Sequence, residues 1–155
     1  MYAFSDKAKN EICLIPEVTG IVQEMFRDNQ FKTSSAAIYT KKVFYVSRCY
    51  RYEMSPKKGR QREFVQLGVE IVTTDENKKD SYKQECIDLL KSLLDGTNTN
   101  YRFMPTVKRG LSYYVEDGFE VECDELGTQK QIAGGGSYKE GVGFAIGLER
   151  WLLIK

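Results

Sequence analysis

Histidine is absent from all 155 residues of this chain. Its absence removes Ser-His-Asp and Cys-His nucleophilic pairs, His-ligated zinc and imidazole proton shuttles. Net charge is almost absent as well, with 23 Lys and Arg against 22 Asp and Glu. Proteins that coat nucleic acid carry a strong basic excess, so this balance leaves room only for a local basic patch. Long apolar runs are missing: no stretch approaches the roughly 18 apolar residues of a membrane-spanning helix. The opening Met1-Tyr-Ala-Phe-Ser-Asp-Lys has no signal-like apolar core, so no membrane association is expected and the expected location is cytoplasmic. Cys13, Cys49, Cys86 and Cys123 form no C-x-x-C pair. They read as reduced, partly buried thiols of an intracellular protein. Proline is scarce, and no linker, repeat or low-complexity tract divides the sequence. Residues 1–155 are therefore read as one domain, long enough to bury about 70% of the surface exposed by its unfolded chain.

What the sequence does contain is a set of well-marked elements. A helix is expected from Thr19, read as its cap, with Ile21, Val22, Met25 and Phe26 on one stripe and Asp28-Asn29 at its end. A second helix is expected from a cap at Asp80 or Ser81, with Ile87, Leu90 and Leu94 on one face and Gly96 just past its end. Lys42 to Glu53 and Arg62 to Thr73 read as a long antiparallel hairpin joined by a basic turn. A second hairpin is expected from Ser112 to Cys123 around Asp117-Gly118. Val142 to Ile146 reads as a strand feeding a C-terminal helix near Gly147. Hairpins without βαβ alternation give an α+β class: an antiparallel sheet of about six strands flanked by about three helices.

The two faces of the first hairpin differ. Val65, Leu67, Val69 and Ile71 alternate as a core face, while Phe64, Gln66, Gly68 and Glu70 point the other way. With ordinary hairpin register, Arg51 and Glu53 join that second face. An aromatic ring among charges, beside a mid-strand glycine, suits a flat ligand approaching closely. Near the C-terminus, Arg150 is expected in the first turn of a helix, where a cation opposes the helix dipole and an anionic ligand would offset the cost. Neither the P-loop nor the Rossmann glycine pattern occurs in Gly134-Gly-Gly-Ser-Tyr-Lys.

These segments resemble a known family. Arg51-Tyr-Glu53, followed by Lys58-Gly-Arg60-Gln-Arg-Glu-Phe64-Val-Gln66-Leu-Gly-Val-Glu70, resembles motif 2 of class II aminoacyl-tRNA synthetases. Gly147-Leu-Glu149-Arg150 resembles their motif 3. Leu14-Ile-Pro16-Glu17-Val-Thr19, Arg109-Gly-Leu-Ser-Tyr113-Tyr114 and Ala133-Gly-Gly narrow the resemblance to histidyl-tRNA synthetases, in order and over nearly the whole chain. The resemblance implies a class II synthetase-like catalytic core. It also implies ATP with Mg²⁺ as cofactors, although no metal ligand is identified in this chain.

Position by position, the resemblance places Arg51 on the α-phosphate, Arg150 on the polyphosphate from the other side and Arg60 on the outer phosphates. Phe64 would stack on adenine, with Glu53 near its amino group. Glu17, Thr19 and Gln66 would hold the amino acid's ammonium group. Glu70 and Tyr114, with Tyr113 beside them in the same motif, would form the imidazole pocket, and Arg109 would touch both the carboxylate and the α-phosphate.

The sequence also departs from the family. Its match starts beyond the segment carrying motif 1, which builds the family's dimer, and it includes no anticodon-binding domain and no insertion between motifs 2 and 3. Ile15 replaces an Arg, Ser112 replaces an Asp, and Gly136-Ser-Tyr-Lys loses the Arg and Asp that follow Ala-Gly-Gly. Three functions follow. The first is a minimal enzyme activating histidine or a related compound with ATP, delivering it to tRNA or another acceptor. The second is a non-catalytic paralogue that binds histidine or nucleotide and regulates a partner, like the ATP-phosphoribosyltransferase regulatory subunit. The third is an RNA-binding remnant using the basic loop Lys57 to Arg62. Three phosphate-facing arginines favour activation over sensing, because convergent desolvated cations without a counter-anion are unfavourable. A homodimer or a separate partner chain is among the expected partners, alongside ATP and the amino acid.

Overall fold

The computed structural model describes residues 1–154. The chain opens with a two-stranded hairpin, β1 (Ala3–Ser5) and β2 (Glu11–Cys13), followed by helix α1 (Thr19–Arg27). The main sheet contains β3 (Thr40–Tyr50), β4 (Glu63–Thr73), β5 (Arg102–Val107), β6 (Gly118–Glu122), β7 (Gln131–Tyr138) and β8 (Gly141–Gly147). These six strands lie in the order β3-β4-β8-β7-β6-β5, and every neighbouring pair is antiparallel. Helix α2 (Lys79–Asp95) lies between β4 and β5 in sequence, and the short α3 (Leu148–Leu152) follows β8. The expected α+β class and six-stranded antiparallel sheet are therefore present, with the small hairpin as an addition.

Alternation sorts the sheet into two faces. Leu67, Val69 and Ile71 on β4 lie beside Ile146, Phe144 and Val142 on β8. Phe119 and Val121 on β6 extend this layer, and Cys86, Leu90 and Leu94 of α2 close it. The opposite face carries Gln66, Gly68 and Glu70 next to Gly147, Ala145 and Gly143, with Gly134 and Gly136 beyond them on β7. Helix α1 covers one end of this face, where Val22 and Phe26 pack with Val72 and Tyr138. The rest of the glycine-rich face is left as a concave floor.

Several expected boundaries shift, each for a local reason. The first hairpin pairs Tyr50 with Glu63, so Arg51 and Glu53 lie in the loop just past β3. Thr19 is the first helical residue and Val18 the cap position, with no capping side chain; the Thr19 hydroxyl donates to Glu70 instead. Helix α2 starts at Lys79, before the expected cap. A short 3₁₀ turn, Glu76–Lys78, leads into it, and Asp75 accepts the Asn77 N–H there.

Asp117-Gly118 is not a hairpin turn. Gly118 opens β6, whose partners are β5 and β7, and Lys108 to Asp117 form a loop. β5 escaped detection because Pro105 interrupts its pattern; the strand tolerates Pro105 because it lies at the sheet edge, with a register shift between Met104 and Val107. Nor does Gly68 mark a ligand's approach. Tyr45, its cross-strand partner, lays its ring over the missing side chain.

Candidate functional site

Above the glycine floor lies a cavity of about 590 Å³. It is lined by Glu17, Thr19, Arg51, Glu53, Arg60, Phe64, Gln66, Glu70, Arg109, Tyr113, Tyr114 and Arg150. Every site residue expected from the sequence is thus brought to one space, from segments up to 133 positions apart in the chain (Glu17 to Arg150). The glycines explain how such a space forms within a sheet. A Cβ on Gly143 would collide with the Glu70 carboxylate, and one on Gly134 with the Arg109 guanidinium.

One end of the cavity is acidic and rich in hydroxyls. Glu70 is fully buried; its Oε1 accepts the Thr19 hydroxyl at 2.6 Å and its Oε2 accepts the Tyr138 hydroxyl at 2.9 Å. Burial pushes the Glu70 carboxyl up to about 7, although both hydroxyl bonds oppose the shift. Glu17 accepts the Tyr113 hydroxyl at 2.9 Å. Burial raises its carboxyl too, against the pull of that bond and of Arg51 and Arg109. The Tyr113 and Tyr114 rings pack with centroids 4.6 Å apart. Gln66 accepts the buried Cys49 thiol at 3.3 Å.

Arginines line the rest of the cavity. Arg51 places its guanidinium 5.0 Å from the Phe64 ring centroid, and its Nε donates to the Pro16 carbonyl at 3.2 Å. Arg150 donates through Nη1 to the Gln131 carbonyl at 2.8 Å and through Nε to the Gly59 carbonyl, which ties α3 to the β3–β4 loop. Burial lowers the Arg150 guanidinium, and the nearby cations Arg51 and Arg60 lower it further. Arg109 is paired with Glu120, lies 5.4 Å from the Tyr114 ring centroid and keeps a buried Nε with no partner.

This donor set fits a polyphosphate: the arginines share one cavity, Arg150 is disfavoured as a cation first by burial and then by its neighbours, and Arg109 holds an orphaned buried donor. Among the described residues no group of three or more cysteine, aspartate and glutamate side chains could hold a metal ion.

Several of the expected site residues already have side-chain partners within the protein, Arg109 with Glu120 among them. Thr19, assigned to the ammonium group, bonds Glu70, and Arg60, assigned to the outer phosphates, forms an ion pair with Glu53. Three further residues escaped the sequence reading. Glu149 takes the Val65 N–H on both carboxylate oxygens, at 2.7 and 2.9 Å, and so pins β4 to α3. Tyr138 shares strand parity with Gly134 and Gly136 on the cavity face, the one signal that could have found it. Glu120 alternates with the buried Phe119 and Val121, as the polar residues of β4 do with theirs.

The model of the class II tRNA synthetase core domain (G, H, P, S and T) matches residues 2–142. The chain belongs to the class II tRNA synthetase core family. A histidine–tRNA ligase from Clostridioides difficile is 25% identical, the match covering 99% of this chain and 59% of the ligase. That alignment runs over 253 positions against the 155 residues here, so the ligase carries extra segments inside the matched span.

Among solved structures, apo histidyl-tRNA synthetase from S. aureus aligns with a TM-score of 0.74 at 22% identity, covering 99% of this chain and 55% of the synthetase. A Bacillus halodurans protein described as an ATP phosphoribosyltransferase regulatory subunit/histidyl-tRNA synthetase aligns with a TM-score of 0.75 at 13% identity, covering 99% and 68%. Both likenesses establish the class II fold. The chain spans about three-fifths of the length of the curated ligase it matches. No helix among the described residues is long and apolar enough to cross a membrane.

Proposed function

We propose that this class II core activates an amino acid with ATP, forming an aminoacyl-adenylate, and that the amino acid is histidine or a close relative. The observation carrying this reading is that Arg51, Arg109 and Arg150 line the same cavity as Glu17 and Glu70. Cations and buried carboxylates in one cavity match a substrate pair of a polyphosphate and an amino acid.

The reaction requires no histidine in the enzyme. The amino acid's carboxylate, already ionised, attacks the α-phosphorus; the new C–O–P bond forms as the bond to the β-phosphate's bridging oxygen breaks and pyrophosphate leaves. Catalysis then consists of positioning the reactants and stabilising charge on phosphate oxygens, which arginine forks supply. Arg51 and Arg109 would hold the α-phosphate, Arg150 the polyphosphate, and Arg60 the outer phosphates once released from Glu53. Phe64 would stack on adenine with Glu53 near its amino group. Glu17, Gln66 and Thr19 would surround the ammonium group, and Glu70 with Tyr114, flanked by Tyr113, would recognise the imidazole. Bound Mg²⁺ would neutralise phosphate charge. The acyl acceptor, tRNA or a smaller carrier, and a homodimeric or separate partner chain belong to the same proposal.

A second reading is favoured by the fold shared with the B. halodurans protein: a regulatory paralogue that binds histidine without activating it. A non-hydrolysable histidyl-adenylate analogue separates the two in a calorimetric titration. Activation predicts that the analogue binds at least about 10²-fold more tightly than histidine, as intermediate-like ligands do. A sensor would bind the analogue no better than histidine.

A further inference from the structure

Arg109 has an unusual set of partners. Its side chain lies in a slot without Cβ atoms on either side, between Gly118 and Gly134, so that it runs flat along β6 and β7. Its side chain is only 13% exposed, and Glu120, 19% exposed, faces it as its counter-charge. A guanidinium has five N–H donors, yet the buried Nε here has no partner. Glu120 also lines the cavity, so the ion pair borders the space a ligand would fill.

We propose that Glu120 is a positioning residue for Arg109: an internal counter-anion that holds the guanidinium ready and that an entering phosphate replaces. The inference rests on the activation reading only in requiring that a phosphate reach Arg109. A buried cation needs an anion at all times, and removing one partner of such a pair leaves a strongly unfavourable charge. Glu120 fills that need until a phosphate arrives, while the unpartnered Nε and the open glycine slot leave the guanidinium free to turn toward a new acceptor. Glu120 tolerates release. Burial raises its carboxyl and Glu122 on its own strand adds to the shift, leaving Arg109 as the one group opposing it. Its cross-strand neighbours, Met104 on β5 and Gly134 on β7, bring no charge. Glu120 thus competes with the ligand for Arg109, and binding of a phosphate carries the cost of parting the pair.

Pyrophosphate is the probe that tests this without requiring activation. Calorimetric titration at low ionic strength should show Glu120→Gln binding pyrophosphate about tenfold more tightly than the unaltered protein, a one-unit change in log affinity. The gain should vanish when Arg109→Gln is added, because it runs through that side chain. An anchor with a purely structural role predicts the opposite sign. Unchanged or weaker pyrophosphate binding by folded Glu120→Gln would overturn the proposal. If Glu120→Gln does not fold, Glu120→Asp keeps the charge but draws it back from Nη1 and should show a smaller gain; no gain there is equally fatal. Tighter pyrophosphate binding by Glu120→Gln, with no amino-acid-dependent exchange by the unaltered protein, would retain this inference and reject the activation reading.

Discussion

Replacing Arg109 with alanine should lower amino-acid-dependent ATP–pyrophosphate exchange by about 10²–10³-fold, the usual loss when one preorganised donor is removed from a centre of developing charge. Arg109 is the strongest candidate for such a donor. Its guanidinium is desolvated, sits against the Tyr114 ring and has an unpartnered Nε at the cavity. The substitution also strands Glu120, which costs stability on its own account. Arg109→Ala combined with Glu120→Gln removes that second effect. The pair should regain the melting temperature of the unaltered protein while exchange stays low. Exchange within a factor of about three of the unaltered protein, well under the loss expected for a phosphate donor, would remove Arg109 from the catalytic set.

Glu70→Gln should have the second large effect, on stability as well as selectivity. The folded chain holds the Glu70 proton up to about 7, against an ordinary value of 4.5. Between those two values the unfolded state releases a proton that the folded state keeps, so stability is intact below about pH 4.5 and falls as pH rises through 7. The full penalty above that window is on the order of 3 kcal/mol. Glutamine keeps the shape and can still engage the Thr19 and Tyr138 hydroxyls, but it never ionises. In urea denaturation, Glu70→Gln should therefore exceed the unaltered protein in stability at pH 8 and match it near pH 4. The same substitution should erode preference for histidine, since a site built around one buried polar partner can discriminate by roughly 10⁴–10⁵. A Glu70→Gln protein that is less stable at pH 8 would show that the carboxylate is held ionised by its hydroxyl partners.

These effects depend on residues that differ in how visibly the sequence announces them. Strand β4 was legible because Leu67, Val69 and Ile71 alternate without interruption against Gln66, Gly68 and Glu70. From that parity alone the polar face could be assembled. The cationic residues were legible through motif spacing, because Arg51, Arg109 and Arg150 occur within ordered, recognisable segments.

What stayed hidden depends on tertiary partners. Thr19 has the residue type of a helix cap, and only the position of Glu70, 51 residues away in sequence, decides that its hydroxyl turns inward. Gly68 has the marks of a ligand contact until Tyr45 is seen across the strand. Ser112 to Asp117 reads as one arm of a hairpin, yet the segment touches β7 only through Tyr114 beside Tyr138 and Val115 N–H on the Ser137 carbonyl, while Tyr113 is drawn to Glu17 and Arg109 to Glu120. Tyr138 lies in the Gly136-Ser-Tyr-Lys stretch where the motif's Arg and Asp are lost, and the sequence shows that as erosion. In the fold the same tyrosine completes the hydrogen-bonded surroundings of the buried carboxylate.

The central claim is that this core forms an aminoacyl-adenylate, and amino-acid-dependent ATP–pyrophosphate exchange measured separately with each of the twenty amino acids tests it most directly. Exchange above background with histidine, and with few or none of the others, is the expected result. No exchange with any amino acid, alongside histidine binding seen by calorimetry, would contradict activation and leave a ligand-binding regulator.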